Sequence, residues 1–336
     1  MFKKHFFKIL LGIVFSAVLI WLTLRQIDFH KSLELIKNAN YYLLIPGVII
    51  YALTYFLRSL RFYFMLRPIK KTRVFENFPY TMLGFFMNNI IPLRLGEVIR
   101  AKVTGERLGI SRSAALGAIV IERLLDMIVF VLFFFLIMIV LPFPEFIKKS
   151  FYLSTIVFGG ALLVLFVISK NDKKSLELVN KIPMPAKIKN YVAEIFEKFT
   201  GGLAMLKKPA LFSVSFLFSI IAWIAESSFL VITAYSCGIN ISIVGGIFVV
   251  IIIGIGAILP TAPGYIGAFE FMGVTAFSVL GVDKDSAFAC IAIYHFLQII
   301  VIFTLGFASV LKAKISFIDL FKFENGRIED TRAGEQ

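Results

Sequence analysis

The stretch NNIIPLRLGEVIRAK, residues 88–102, decides how this chain can be threaded through a membrane. It begins at the end of an apolar segment, 74–91, that has the length of a membrane span, but the residues after its proline are too charged for a second lipid-facing span. If 74–91 crossed completely, the basic segments 92–112 and 170–208 would both lie outside the cell, against the positive-inside rule. We therefore predict a re-entrant hairpin that enters from the cytoplasm and returns to it.

This hairpin lies in a strongly apolar chain. Hydrophobic residues make up 59% of the 336 positions and charged residues only 17%, which is typical of a polytopic membrane protein. Apolar segments of near-spanning length occur at 6–24, 41–57, 74–91, 113–141, 151–169, 211–237, 243–259, 264–282 and 285–311. The predicted fold is therefore an all-α integral membrane bundle, whose first segment is retained as a span and not cleaved as a signal peptide.

Basic residues predict which side of the membrane each connection faces. Lys and Arg are dense at the N-terminus, between the second and third apolar segments, and in 170–208, so we expect these parts to be cytoplasmic. Both termini are then cytoplasmic in a multi-pass protein of the cell membrane. We predict one transmembrane domain over 1–312, with a cytoplasmic segment of two amphipathic helices at 170–208, and a polar cytoplasmic tail at 313–336.

The first hairpin has a counterpart later in the chain. IPLRLGE (91–97), LGISRSAAL (108–116) and IVIER (119–123) correspond to LPTAPGYIGAFE (259–270), LGVDKDSAF (280–288) and IAIYH (291–295). Gly109 and Arg123 are 14 positions apart, as are Gly281 and His295. We interpret this match as an internal duplication. Because the second hairpin opens from the outside, the pair predicts an inverted repeat, as in transporters that bind substrate near the bilayer midplane.

Proline and glycine residues interrupt the helices of both hairpins. Proline removes a backbone donor and glycine permits a turn, so helix ends are left free to contact a charged group. The predicted broken-helix residues are Pro92, Gly96, Pro260, Pro263, Gly264 and Gly267. Ordinary surface turns are the alternative, and we favour the functional interpretation because the two breaks match and each ends in a glutamate.

Ionisable residues within apolar segments are the candidate substrate ligands, since each costs about 2.5–3.5 kcal/mol at the bilayer centre unless it is paired or hydrated. The predicted substrate-binding residues are Asn89, Arg94, Glu97, Arg100, Glu122, Arg123, Asp126, Glu226 and Glu270. Two alternatives stay open, a neutral packed Glu226 and an interfacial position for Glu122, Arg123 and Asp126. Arg58 and Arg61 are instead interpreted as positive-inside anchors.

The sequence gives little support to other chemistry. Cys237 and Cys290 are too few for a disulfide framework, and the scattered His5, His30 and His295 do not predict a metal site. Phosphate-loop and hydrolase motifs are absent, and we predict no cofactor. The net charge of +14 is explained by basic loops beside spans, so the expected partner is an anionic membrane lipid and not nucleic acid.

At residues 88–101, 109–126 and 259–270 the chain resembles the flippase-like membrane domain of lysylphosphatidylglycerol synthases, also called the UPF0104 family. The resemblance covers most of 1–312. It implies movement of a lipid between leaflets, since that domain is associated with aminoacylated phosphatidylglycerol and related domains occur beside glycosyltransferases that use polyprenyl lipids. The family's polar motif positions correspond here to Asn89, Pro92, Arg94, Gly96, Glu97, Arg100, Glu122, Arg123, Asp126, Pro260, Gly264, Gly267 and Glu270.

The resemblance and the residues together predict a lipid translocase. The full synthases continue into a cytoplasmic aminoacyltransferase domain that has no counterpart in these 336 residues, so we expect lipid binding or translocation and not lysyl transfer. The phosphate of an anionic phospholipid or polyprenyl-phosphate lipid is expected to pair with Arg94, Arg100 or Arg123, because the guanidinium fork donates two hydrogen bonds at once. Glu97, Glu226 or Glu270 would balance charge or relay a proton.

Two other functions stay open from the sequence. One is a membrane-embedded transferase acting on a lipid-linked substrate, with Glu97 or Asp126 as general base, although no donor site is evident. The other is a non-catalytic scaffold whose basic segment 170–208 recruits a partner, such as a separate lipid-modifying enzyme. We favour a transporter-like protein over an enzyme.

Overall fold

A computed structural model describes residues 2–91, 95–140, 145–171, 175–177, 181, 185–257, 259 and 261–315, and helices dominate these ranges. In chain order the helices named below are α1 (Phe2–Leu24), α2 (Phe29–Lys37), α3 (Tyr41–Leu66), α4 (Val74–Ile90), α5 (Gly96–Leu108), α6 (Arg112–Val140), α7 (Glu145–Lys170), α8 (Ala186–Gly202), α9 (Pro209–Ser236), α10 (Ile243–Gly256), α11 (Ala268–Val279) and α12 (Lys284–Lys312). Short 3₁₀ turns occupy Leu203–Lys207 and Pro263–Tyr265.

Helices of membrane-spanning length confirm the predicted all-α polytopic fold. Among the described residues, α3, α6, α9 and α12 are long and apolar enough to cross a bilayer. The part of α1 from Leu10 and the short α2 together make a fifth candidate, bent by 86° between them. One boundary differs from the prediction, because α3 continues to Leu66 whereas the apolar segment ends at 57. Aromatic and methionine residues interleaved with its arginines let the helix continue.

Each predicted hairpin returns to the end of the bundle at which it starts. Before α4, the Lys70 ammonium donates a hydrogen bond to the carbonyl of Leu108, the last residue of α5. In the second hairpin, a Cβ added to Gly245 near the start of α10 would lie 3.2 Å from Leu280 Cδ1, just after α11. With 17 and 13 residues in the first hairpin and 14 and 12 in the second, these helices are also shorter than the ~20 residues of a complete crossing.

The two hairpins start from opposite ends of the bundle. At the base of the first, Arg107 Nη2 donates to the carbonyl of Lys314, 3.0 Å away, beyond the end of α12. The second hairpin ends immediately before the start of α12, where Lys31 Nζ lies 2.8 Å from Asp285 Oδ2. Because the 29 residues of α12 separate these two ends, the hairpins form an inverted repeat.

The element pattern of the two units agrees with a duplication. Helices of 17, 13 and 29 residues (α4, α5 and α6) correspond to helices of 14, 12 and 29 residues (α10, α11 and α12). Gly109 and Gly281, which anchor the sequence match, both follow the second short helix in the left-handed region, at φ 60° and 80°. Glycine suits this position because it has no Cβ to clash there.

The amphipathic helix α8 lies against the start of α6. A Cβ added to Gly202 would come within 2.9 Å of Gly117 Cα, so the two backbones touch. Helix α8 lies where the second of the two amphipathic helices was predicted in 170–208. Most of the first predicted helix lies outside the described residues, as does the predicted tail beyond residue 315.

Candidate functional site

A cavity of about 140 Å³ lies among the four long apolar helices. Residues at the middle of each of those helices line it, together with residues of α4, α5, α10, α11 and the 3₁₀ turn at Pro263–Tyr265. Asp126 is the central residue of α6 and Gln298 is the central residue of α12, while Trp223 lies at the centre of α9. Tyr51 and Tyr55 line it from the middle of α3. The cavity is thus far from both ends of the bundle.

Eight charged residues surround or support this cavity, and we call them the ionic network. Its members are Arg58, Glu97, Arg61, Arg100, Glu122, Arg123, Asp126 and Glu226. Four are cationic and four are anionic, so the network is formally neutral. Charges at such depth persist only when paired, because an isolated buried ion loses its hydration without compensation.

The fully buried part of the network is centred on Glu122. Arg100 Nη1 and Nη2 donate to its two carboxylate oxygens, each at 3.0 Å, in a bidentate pair. Arg61 Nη2 lies 3.2 Å from the same carboxylate and also donates to Asp126. The Arg100 guanidinium is stacked 4.0 Å from the centroid of the Phe62 ring. These contacts join α3, α5 and α6.

Arg123 is the member of the network with the most access to the cavity. Its side chain is 25% exposed, and it contacts Glu122 and Asp126 on its own helix. Across the cavity wall, Arg123 Nε lies 3.6 Å from Glu97 Oε1, which is the longest ionic contact among the described members. Glu97 is 23% exposed. This pair is the least enclosed part of the network.

Arg58 lies on the opposite wall and was misinterpreted from the sequence. Its Nη2 donates to Glu226 Oε2 at 2.6 Å, and its guanidinium lies 4.5 Å from the centroid of the Trp223 ring. The interpretation of Arg58 and Arg61 as interfacial anchors is wrong, because both are buried and paired with carboxylates of other helices. Glu226 is likewise held in an ion pair and is not a lone packed carboxyl.

A second acid–base pair lies in the repeat unit opposite. His295 Nδ1 lies 2.6 Å from Glu270 Oε1, and its Nε2 lies 2.9 Å from the carbonyl of Gly264. The other oxygen of Glu270 accepts the Gly267 N–H at 2.6 Å, which caps α11. Gly267, at φ 92°, also packs its backbone on Ser16 of α1. His295 lines the cavity.

The turns of the two hairpins meet beside the cavity. A Cβ added to Gly264 would lie 3.8 Å from the carbonyl of Asn89, a lining residue whose side-chain amide donates to Phe85. Buried Asn88 Oδ1 accepts no hydrogen bond from the described residues. Pro263 begins the 3₁₀ turn next to Gly264. Pro92, Arg94 and Pro260 lie outside the described residues.

The structure brings together most of the residues predicted from the sequence. Of the described ones, Asn89, Glu97, Arg123, Asp126 and Glu226 line the cavity. The remaining three, Arg100, Glu122 and Glu270, support lining residues from behind.

The lining residues that were not predicted include Arg58, Trp223, His295 and Gln298. The repeat itself carried the signal for two of them, because His295 and Gln298 stand where Arg123 and Asp126 stand in the first unit. Neither carries the fixed charge by which the other candidates were identified. For Arg58, the indication in the sequence was that residues after 57 stay largely apolar, which predicts that its helix continues past that residue.

The ionic contacts limit what the carboxylates can do chemically. Asp126 accepts hydrogen bonds from Arg61 and, at 3.0 Å, from Trp223 Nε1, so its oxygens are already engaged. A general base needs a lone pair directed at the proton that it removes. The geometry therefore suits Asp126 to holding arginines in place, whereas Glu97 and Arg123 have room to exchange partners.

Comparison with known proteins agrees with these features. A model of the family described as "Lysylphosphatidylglycerol synthase TM region" matches residues 9–306. The chain is 25% identical to a UPF0104 membrane protein of Methanocaldococcus jannaschii over 63% of this chain and 88% of that protein. It is 24% identical to one of Methanothermobacter thermautotrophicus, over 83% of this chain and 84% of the relative. With the family model covering most of its length and the two hairpins facing each other, the chain belongs to the lysylphosphatidylglycerol synthase transmembrane-region family.

Proposed function

We propose that this protein binds the anionic headgroup of a membrane lipid in its central cavity and moves it between the leaflets of the cell membrane. The observation that carries the proposal is the position of Arg123. Its guanidinium reaches a cavity among four candidate spans, and its contact with Glu97 is long enough to be exchanged. Guanidinium groups bind phosphate through two parallel hydrogen bonds.

The neutral ionic network suggests how an anion would be accommodated. Every described arginine of the network has a carboxylate partner, so a phosphate must take the place of one carboxylate. A phosphate would most easily displace Glu97 from Arg123, because this ionic contact is the longest in the network and both side chains are partly exposed. Arg100 stays with Glu122, since their bidentate pair is buried. Its role is to hold Glu122, and through it Arg123, in position.

The size of the cavity favours a headgroup over a whole lipid. A cavity of about 150 Å³ holds a molecule the size of benzene. The volume of about 140 Å³ therefore suits a phosphate with a small substituent, while the acyl chains stay in the bilayer. An anionic phospholipid and a polyprenyl phosphate share this chemistry, and a separate enzyme that modifies the same lipid would be the natural partner.

Headgroup flipping in liposomes tests this function. We expect purified protein to accelerate flipping of labelled phosphatidylglycerol or polyprenyl phosphate, and Arg123→Gln to slow it by about ten- to a hundredfold, since a charged hydrogen bond contributes ~1.5–3 kcal/mol. Arg123→Lys keeps the positive charge but lacks the planar guanidinium fork, so its flipping rate should lie between those of the wild type and Arg123→Gln.

Arg112→Gln is the matched control, because Arg112 pairs with Glu106 at the exposed start of α6. It should flip lipid as the wild type does. Equal rates in Arg123→Gln and Arg112→Gln would remove Arg123 from the mechanism, and no flipping of either lipid class by the wild type would refute the translocase.

We also propose that both termini are cytoplasmic, as the basic residues indicate. In a background lacking Cys237 and Cys290, Lys37→Cys on α2 should react with an impermeant maleimide in intact cells. Asn190→Cys on α8 should react only after permeabilisation. Both positions are exposed. The reverse pattern would invert the topology, and labelling of both in intact cells would contradict a membrane between them.

A further inference from the structure

The two repeat units place an acid–base pair at the same point. In the first unit, Glu97 lies in the first turn of the second short helix and contacts Arg123 of α6. In the other unit, Glu270 lies in the first turn of the second short helix and contacts His295 of α12. Arg123 is 11 residues after the first residue of α6, and His295 is 11 residues after the first residue of α12. The two pairs therefore occupy equivalent positions in the inverted repeat.

The two pairs differ in one chemical respect. Arginine is always charged in proteins, so Arg123 carries a fixed positive charge. Histidine changes charge near neutral pH, and it is the side chain most used for that purpose. One unit thus has a permanent cation where the other has a titratable one.

The hydrogen bonds of His295 fix the number of protons that the pair holds. A carbonyl oxygen only accepts, so Nε2, 2.9 Å from the carbonyl of Gly264, must carry a hydrogen. The 2.6 Å contact between Nδ1 and Glu270 Oε1 needs one further proton between them, wherever it resides. With that proton the pair is neutral as a whole. Without it the pair has a charge of −1, and two lone pairs face each other.

We propose that Glu270 and His295 form a proton-binding site that controls lipid movement through the central cavity, an inference that rests on the proposed function. In the protonated state the cavity accepts the anionic headgroup at Arg123. Loss of the proton from the Nδ1–Oε1 contact to water leaves an unbalanced negative charge at the cavity, which repels the headgroup. Proton and headgroup therefore bind cooperatively, and each increases the affinity of the other.

Other charged and titratable groups surround this pair. Those that line the same cavity are Tyr51, Tyr55 and Arg58 of α3, Glu97 of α5, Arg123 and Asp126 of α6, Glu226 of α9, Tyr265 of the 3₁₀ turn and Tyr294 of α12. Among the described residues, α4 contributes amides and a phenyl ring to the lining, α1 contributes a serine to the turn, and α10 contains no titratable residue. The charged members belong to the ionic network, so the contact between Glu270 and His295 lies outside that network.

The pH dependence of flipping tests the proton site. Wild-type flipping should fall as pH rises, by up to about tenfold per pH unit for one proton. His295→Arg gives the second unit the fixed charge of the first and should flatten this profile. Glu270→Gln keeps an oxygen for the Gly267 N–H but removes the negative charge, so that loss of the proton no longer leaves the pair at −1, and the decline should be lost.

His30→Arg is the matched control, because His30 is exposed on α2 away from the cavity, and it should keep the wild-type profile. The wild type, His295→Arg and Glu270→Gln could all show Arg123-dependent flipping with the same pH profile. That result would overturn the proton site and leave the proposed translocase intact. Absence of wild-type flipping at every pH would overturn the proposed function, and the coupling with it. A wild-type flipping rate that does not change with pH would by itself also overturn the coupling.

Discussion

Glu122→Ala is expected to destabilise this protein more than any other single carboxylate substitution in the ionic network. The carboxylate is fully buried and receives Arg100 in a bidentate pair, Arg61 at 3.2 Å and Arg123 from the same helix. Removing it leaves uncompensated positive charge in the interior, and breaking a buried pair in this way costs about 3–5 kcal/mol. Thermal unfolding of the purified protein in detergent measures the loss as a lower apparent Tm.

Glu106→Ala provides the comparison for this loss. Glu106 lies 2.6 Å from Arg112, but both side chains are at least 30% exposed, and such surface pairs contribute about 0–1 kcal/mol. The Tm of the Glu106→Ala protein should be close to that of the wild type. A Glu122→Ala protein that unfolds at the same temperature as Glu106→Ala would show that the arginines find other partners, and that the buried cluster does not hold α3, α5 and α6 together.

Gly96→Ala is expected to separate the two helices of the first hairpin. A Cβ at this position would lie 2.5 Å from the carbonyl oxygen of Gly84 and 2.6 Å from the backbone nitrogen of Asn88. Backbone atoms cannot give way by rotating, so α5 must move, at a cost of about 1–3 kcal/mol. Because Glu97 is the next residue, lipid flipping should fall together with Tm.

Gly159→Ala is the matched control for this substitution. It lies within α7, and an added Cβ would meet nothing within 4 Å. Alanine is the better helix former by about 1 kcal/mol, so this variant should be as stable as the wild type or more so. If Gly96→Ala kept both its Tm and its flipping rate, the close contact between α4 and α5 would not be needed for function.

Most of the fold was predictable because membrane spans have a strong signal. A span needs about 20 apolar residues, and each predicted segment coincides with a helix. The hairpins were predictable as well, because the charges that follow residue 91 exclude a lipid-facing helix. The end of α3 was not, since Arg58 and Arg61 resemble interfacial anchors in sequence. Their carboxylate partners on α6 and α9 become evident only when the helices pack.

The site was predictable to the extent that its chemistry is charged. Glu97, Arg123 and Glu226 stand out because ions are rare in apolar segments. His295 did not stand out, since a histidine in an apolar helix most often packs as a neutral side chain. The sequence repeat aligns it with Arg123, but its partner Glu270 is 25 positions away, and their contact becomes evident only when the chain folds.

The contact between Gly117 and Gly202 has a mechanical consequence. With backbone against backbone and no side chain between them, α8 and the start of α6 have little freedom to slide or tilt independently. The same helix α6 carries Glu122, Arg123 and Asp126. A displacement of α8 would therefore be transmitted along α6 to the three charged residues beside the cavity.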